Sequence, residues 1–184
     1  MKIRNRNFII ALAGLGIIGF PATSSAQSTS VSQPIRVQLG GFFPTSSTVT
    51  GTLRRAALYG GASYDMYNMG SKGGTPTVAG IYADASYNSS GGLHLTQVGV
   101  GVDGRVYAGG STYGGQFYIG AGVGAYFLNA NGFFASTNNT RLGGKIFVGY
   151  EFSQGFFVEG GYTFITSVSG ISPSGFQAAL GYKF

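Results

Sequence analysis

Seven charged residues carry the polar chemistry this sequence has to offer: Arg36, Asp103, Arg105, Lys145, Glu151, Glu159 and Lys183. Acids and bases so few and so interspersed suit a network of ion pairs, which is stable away from water only if each charge meets its opposite. Nucleophilic and metal chemistry have little to work with. The 184-residue chain has no cysteine and one histidine, so thiolate catalysis, a disulfide framework and a histidine-rich metal set are all absent. That histidine, His94, stands in Leu93-His94-Leu95-Thr96, where a Thr occupies the place a serine nucleophile would need. No acid lies near it in sequence to orient the ring as a catalytic triad requires. We therefore expect no enzyme, no catalytic residue, no cofactor and no metal.

The elements that position these charges emerge once residues 1–26 are set aside. Lys2, Arg4 and Arg6 precede an unbroken apolar run from Phe8 to Phe20, and small residues Ser24 and Ala26 suit cleavage before Gln27. Thirteen such residues reach only about 20 Å as a helix, too short for a hydrocarbon core of ~30 Å. The expectation is an export signal over 1–26, a short lead over 27–34 and one domain over 35–184. Losing three basic residues leaves eight against five acids, which removes the argument for nucleic-acid binding.

What remains is too poor in charge for a solvated surface: ~8 % of residues, where soluble domains carry roughly 25 %. It also has no apolar run near the ~18 residues of a membrane helix. A closed β-barrel is the other element that crosses a bilayer with its backbone satisfied. Alternation supports it. Eight segments, within 35–43, 58–66, 79–87, 98–106, 117–127, 142–152, 156–164 and 176–184, each place an uncharged, mostly apolar set on one face. The opposite parity carries Arg36, Arg55, Asp65, Asp84, Asp103, Arg105, Arg141, Lys145, Glu151, Glu159 and Lys183, with many glycines between them. A soluble barrel would turn this glycine-rich face to water. The reverse arrangement, apolar outside and charges within a narrow lumen, fits an eight-stranded membrane barrel. His94 shares the parity of Val98 and Val100 and is expected to face outward.

One turn fixes a register. Ser153-Gln154-Gly155 as a three-residue loop pairs Phe152 with Phe156 and keeps both apolar sets together, with Gly155 supplying the left-handed position. Glu151 then faces Phe157, Glu159 faces Gly149, and the two acids are diagonal neighbours. We expect Arg36, Lys145 and Lys183 to compensate them, joined by Asp103 and Arg105. An even strand count puts both termini on the periplasmic side. The outer loops are then 44–53, 88–92, 128–140 and 166–175, with inner turns near 67–76, 109–115 and 153–155. Phe133 and Phe134, in the longest loop, are the candidate exposed contact.

An export signal, a mature part of this length, eight alternating strands and the ending GYKF resemble the small eight-stranded outer-membrane barrels. These include the OmpX/Ail group and the barrel domain of OmpA. The resemblance covers Ile35 to Phe184. It implies that Phe176, Leu180, Tyr182 and Phe184 of the last strand are read by the outer-membrane assembly machinery after handling by periplasmic chaperones. It also implies an outer-membrane monomer in contact with outer-membrane lipids and lipopolysaccharide, acting as a structural or adhesion-type protein through its outer loops. Porin-like transport of small or hydrophobic solutes is the second expectation, and a lipid-modifying enzyme built on His94 the third.

Overall fold

The computed structural model describes residues 33–68, 76–110, 115–131, 137–167 and 172–184. The expected signal over 1–26 and the contact residues Phe133 and Phe134 lie outside them. Eight strands form one closed antiparallel barrel in chain order. They are β1 (Ile35–Pro44), β2 (Ala57–Asn68), β3 (Thr77–Ser90), β4 (Leu93–Gly110), β5 (Gln116–Asn131), β6 (Thr137–Glu151), β7 (Phe156–Ile165) and β8 (Gly175–Lys183). A six-residue helix, α1 (Ser47–Thr52), follows β1. No helix among the described residues is long and apolar enough to cross a membrane.

The barrel closes where β1 meets β8, with Arg36 opposite Lys183 and Leu39 opposite Leu180. Phe184 extends the seam, its N–H donating to the Ile35 carbonyl at 2.8 Å. Both chain ends of the barrel therefore share one rim, called here the terminal rim; the opposite one is the far rim. Parity separates the two faces because a strand's side chains alternate. Leu142 is 74 % exposed and Leu180 68 %, while Tyr126 between the strands' inner faces is 0 %. The exterior is thus a belt of aliphatic residues bordered by aromatic clusters. Near the terminal rim Phe117, Tyr150 and Phe152 pack edge to face, as do Phe156, Tyr182 and Phe184, with centroids 4.7–4.9 Å apart.

The β6–β7 turn has the expected form. Phe152 N–H donates to Phe156 O at 2.8 Å, Gly155 has φ +85°, and Glu151 lies opposite Phe157 and Gly149 opposite Glu159. Elsewhere the structure corrects the expected limits. The loop over 44–53 contains α1, with Val49 buried on it and Leu53 just after it. The loop over 88–92 shrinks to Gly91 and Gly92, whose φ values of +57° and +82° make the left-handed pair that a two-residue hairpin needs. Asn88 and the Asn139-Thr140 pair, which fell in the expected outer loops, extend β3 and β6. In β2 a bulge between Asp65 and Tyr67 leaves both Met66 and Tyr67 exposed. Arg55 precedes β2 and is exposed, so it is not a lumen residue.

The strands are unequal. β4, β5 and β6 have 18, 16 and 15 residues, while β1, β7 and β8 have 10, 10 and 9.

Candidate functional site: the lumen and the far rim

The inward parity of every strand delivers its polar residue to the barrel axis, and the charges sort into three clusters. Nearest the terminal rim, Glu151 accepts from Arg36 Nη1 at 2.8 Å and from Lys183 Nζ at 3.1 Å. In the second, Arg105 pairs with Asp65 and with Asp103, the latter at 2.9 Å, and also donates to Ser63 Oγ at 3.0 Å. In the third, Lys145 Nζ lies 3.5 Å from Asp84 Oδ2 and 3.5 Å from the centroid of the Tyr82 ring.

This differs from the expected network in three ways. Asp103 and Arg105 do not join Glu151 or Glu159 by an ion pair among the described residues; they pair with each other and with Asp65. Lys145 serves Asp84 rather than the Glu151/Glu159 pair, because both side chains point into the narrow lumen and the closure of the barrel brings β3 and β6 within reach of each other. Glu159 makes no ion pair among the described residues; it accepts a hydrogen bond from Tyr118 Oη at 3.0 Å. Asp65 and Asp84 had the charged parity but no assigned partners.

Sequence reasoning also missed the aromatic filling. Tyr59, Tyr82, Tyr107, Tyr118, Tyr126, Phe147 and Phe157 are buried on the inner face. Their signal was present, since each shares the parity of its strand's charges or, for Tyr118 and Tyr126 on the uncharged β5, that of its inward glycines. They solvate the cations: the Arg36 guanidinium lies 4.0 Å from the Phe157 ring centroid and 5.0 Å from that of Tyr118. Tyr107 and Tyr118 hydroxyls also contact Arg36, at 3.4 and 2.9 Å.

The glycines make room for these rings. A Cβ on Gly149 would overlap the Tyr118 ring and hydroxyl and approach Val158 O at 2.7 Å. The central lumen keeps a cavity of ≈ 10 Å³, touched by Gln38, Ser63, Asp103 and Glu159 among others. That is about the volume one water centre requires. Toward the far rim Phe42, Ala57 and Tyr59 form an apolar cluster, and Tyr126, Leu128 and Ile165 another. The polar column is therefore discontinuous. One oxygen each of Asp65, Asp84 and Asp103 is buried without a hydrogen-bond partner, a cost accepted inside the barrel.

The far rim holds the remaining polar groups. His94 Nδ1 and the Tyr87 hydroxyl are hydrogen-bonded at 2.9 Å, with the rings stacked 6.0 Å apart. Across the strands His94 is opposite Ser89 and Asn131. No carboxylate is bonded to it among the described residues. Asn131 and Asn138 each bond Asn129, extending this outward polar face along β5 and β6. Before β2, Arg54 is tied to β3 by two bonds to the buried Asn88: Arg54 N–H to Oδ1 at 3.2 Å and Nδ2 to Arg54 O at 2.7 Å. Among the described residues no group of three or more His, Asp or Glu could hold a metal ion.

The expected assembly residues Phe176, Leu180, Tyr182 and Phe184 all lie on the outer face of the β8 seam, with Phe176 packed on Tyr162 at 4.9 Å.

No protein-family model and no curated protein sequence matches the chain. Solved structures do resemble it. Neisserial surface protein A is 12 % identical, with a TM-score of 0.60 over 82 % of this chain and 96 % of its own. The outer membrane enzyme PagL is 13 % identical, with a TM-score of 0.54 over 81 % and 98 %. The N-terminal β-barrel domain of Pseudomonas aeruginosa OprF is 11 % identical, with a TM-score of 0.51 over 83 % and 98 %. At such identities the likeness concerns the fold: this chain is an all-β, closed eight-stranded barrel similar to those of small outer-membrane proteins.

Proposed function

We propose that this protein is a monomeric outer-membrane barrel with a side-chain-filled lumen, a structural and interaction protein of the adhesion type that acts through its outer loops. The carrying observation is the pairing of an aliphatic exterior with an interior packed by buried rings and ion pairs, among which Gln38, Ser63, Asp103 and Glu159 line a cavity of ≈ 10 Å³. The exterior is suited to lipid tails, and the far rim becomes the outward-facing one. The filled interior favours this reading over porin-like transport, which needs a continuous aqueous path.

A solved barrel of this fold is an outer membrane enzyme, yet the corresponding chemistry here would rest on His94. Its ring faces outward, is bonded to Tyr87, and has no carboxylate behind it. The scaffold reading therefore stands ahead of lipid modification as well.

The test is reconstitution of the full chain into planar bilayers and solute-loaded vesicles. A folded barrel, identified by a change in gel mobility on boiling, should show no single-channel conductance and no solute release. Steady conductance that Glu159→Ala alters would overturn the scaffold reading in favour of transport. A chain that stays soluble without detergent would overturn the membrane placement itself.

A further inference from the structure

We infer that the far rim carries a binding site for phosphorylated lipid headgroups, built on Arg54 and Arg55. The chain's five carboxylate side chains all point into the lumen, where Asp65, Asp84, Asp103 and Glu151 meet its bases and Glu159 meets Tyr118. The outer surface is left with no acidic side chain. At the far rim the charges are Arg54 and Arg55 before β2, and Arg141 on β6.

Both members of the Arg54–Arg55 pair are exposed, and neither guanidinium has an ion-pair or hydrogen-bond partner among the described residues. Exposed arginines are common, but the backbone that carries this pair is held in place at Arg54. The buried Asn88 side chain clamps the Arg54 backbone with a donor and an acceptor bond, fixing the pair to the end of β3. Such a clamp lowers the ordering cost of using the side chains.

The height of the pair identifies the partner. Leu58 and Tyr87 are opposite each other on β2 and β3 and belong to the exposed outer belt. The clamp at Asn88 is one residue beyond Tyr87, so the Arg54 backbone stands just above the apolar belt and both arginine side chains start from that level. In a bilayer this is the level of the headgroups, where phosphates are the anions. Guanidinium binds phosphate through two parallel charge-assisted bonds. The Tyr87–His94 pair, one residue along β3 from the Asn88 clamp, offers a flat, amphipathic surface to the rest of the headgroup. The assigned ligand is a lipid whose phosphates engage Arg54 and Arg55 while its tails lie along the outer belt.

The inference rests on the membrane placement proposed above. The experiment uses the full chain folded in neutral detergent, titrated with fluorescent diphosphoryl lipid A. Inorganic phosphate, phosphatidylcholine and heparin serve as competitors. The expected result is saturable binding that Arg54→Ala/Arg55→Ala weakens by about tenfold or more. Arg141→Ala should change it less than about twofold, since that residue sits across the rim. Inorganic phosphate and phosphatidylcholine should compete poorly, the first lacking tails and the second net charge.

Equal binding by wild type and the double variant overturns the site. So does equal loss in Arg141→Ala, which would mean the rim's overall charge is sensed. Competition by inorganic phosphate would make it a free-anion site, and stronger displacement by heparin a polyanion surface; either overturns the lipid assignment. Should the double alanine variant fail to fold, Arg54→Gln/Arg55→Gln serves in its place. A barrel that never enters detergent fails the membrane reading first, whereas a folded barrel that ignores the lipid fails only this inference.

Discussion

Arg36 and Glu151 are 115 residues apart in sequence and 2.8 Å apart inside the barrel. Their contact, with Lys183 as the third member, ties β6 to the seam where β1 and β8 close. Glu151→Ala leaves the buried Arg36 and the half-buried Lys183 without a carboxylate and should destabilise the barrel by about 3 kcal/mol. Glu159→Gln keeps an acceptor for Tyr118 and should cost no more than ~1 kcal/mol. Urea titration in lipid vesicles, read by far-UV circular dichroism because the chain has no Trp, gives the order. A larger effect at Glu159 would contradict the pairing.

Gly149 tests the aromatic filling of the lumen. Valine there would drive its Cβ into the Tyr118 ring, whose hydroxyl is also bonded to Arg36 and Glu159. Overpacking of this kind costs roughly 1–3 kcal/mol even when neighbours can shift. Gly149→Val should therefore lose most of its heat-modifiable band on gels, and adding Tyr118→Ala should restore part of it. An unaltered band in the single variant would show that the ring does not occupy that space.

How much of this was readable from sequence depends on the distance over which the rule acts. Alternation is set by neighbouring residues, so the outward set from Ile35 to Phe184 could be read directly. The Ser153–Gly155 turn gave the β6–β7 register for the same reason. Partners across the lumen depend on how far each strand is shifted round the closed cylinder, and no local pattern records that shift. This is why Lys145 was matched with the wrong acid. Tyr82 and Tyr118 were hidden differently: a tyrosine suits an interfacial girdle and a polar lumen equally by composition, and only parity distinguishes them. The bulge at Asp65/Tyr67 and the helix over Ser47–Thr52 interrupt alternation, so pattern reading passed over both.

Phe184 separates recognition from stability. Its N–H closes the seam whatever its side chain, and its ring packs on Tyr182 at 4.9 Å. Phe184→Ala should fold in detergent with a loss of about 1 kcal/mol, yet accumulate several-fold less in the outer membrane of cells if the assembly machinery reads it. Equal losses in both settings would reduce Phe184 to a packing residue.

His94→Ala removes one exposed hydrogen bond to Tyr87. Stability should change by no more than ~0.5 kcal/mol, and the lipid A of cells expressing either form should have the same mass spectrum. A lipid change that appears with wild type and vanishes with the variant would restore the enzyme reading.

The unequal strands give this cylinder a bearing. At ~3.4 Å per residue β4 runs about 60 Å and β8 about 30 Å, while a crossing of the hydrocarbon takes about 9–11 tilted residues. In the membrane placement proposed above, the strands on the seam side are used up by the crossing, and what approaches there meets the bilayer almost unobstructed. Across from it β4, β5 and β6 rise as a single parapet faced with Thr96, Asn129, Asn131, Asn138 and Thr140. A visitor gliding in the plane of the membrane thus encounters a windward and a leeward side on the same molecule.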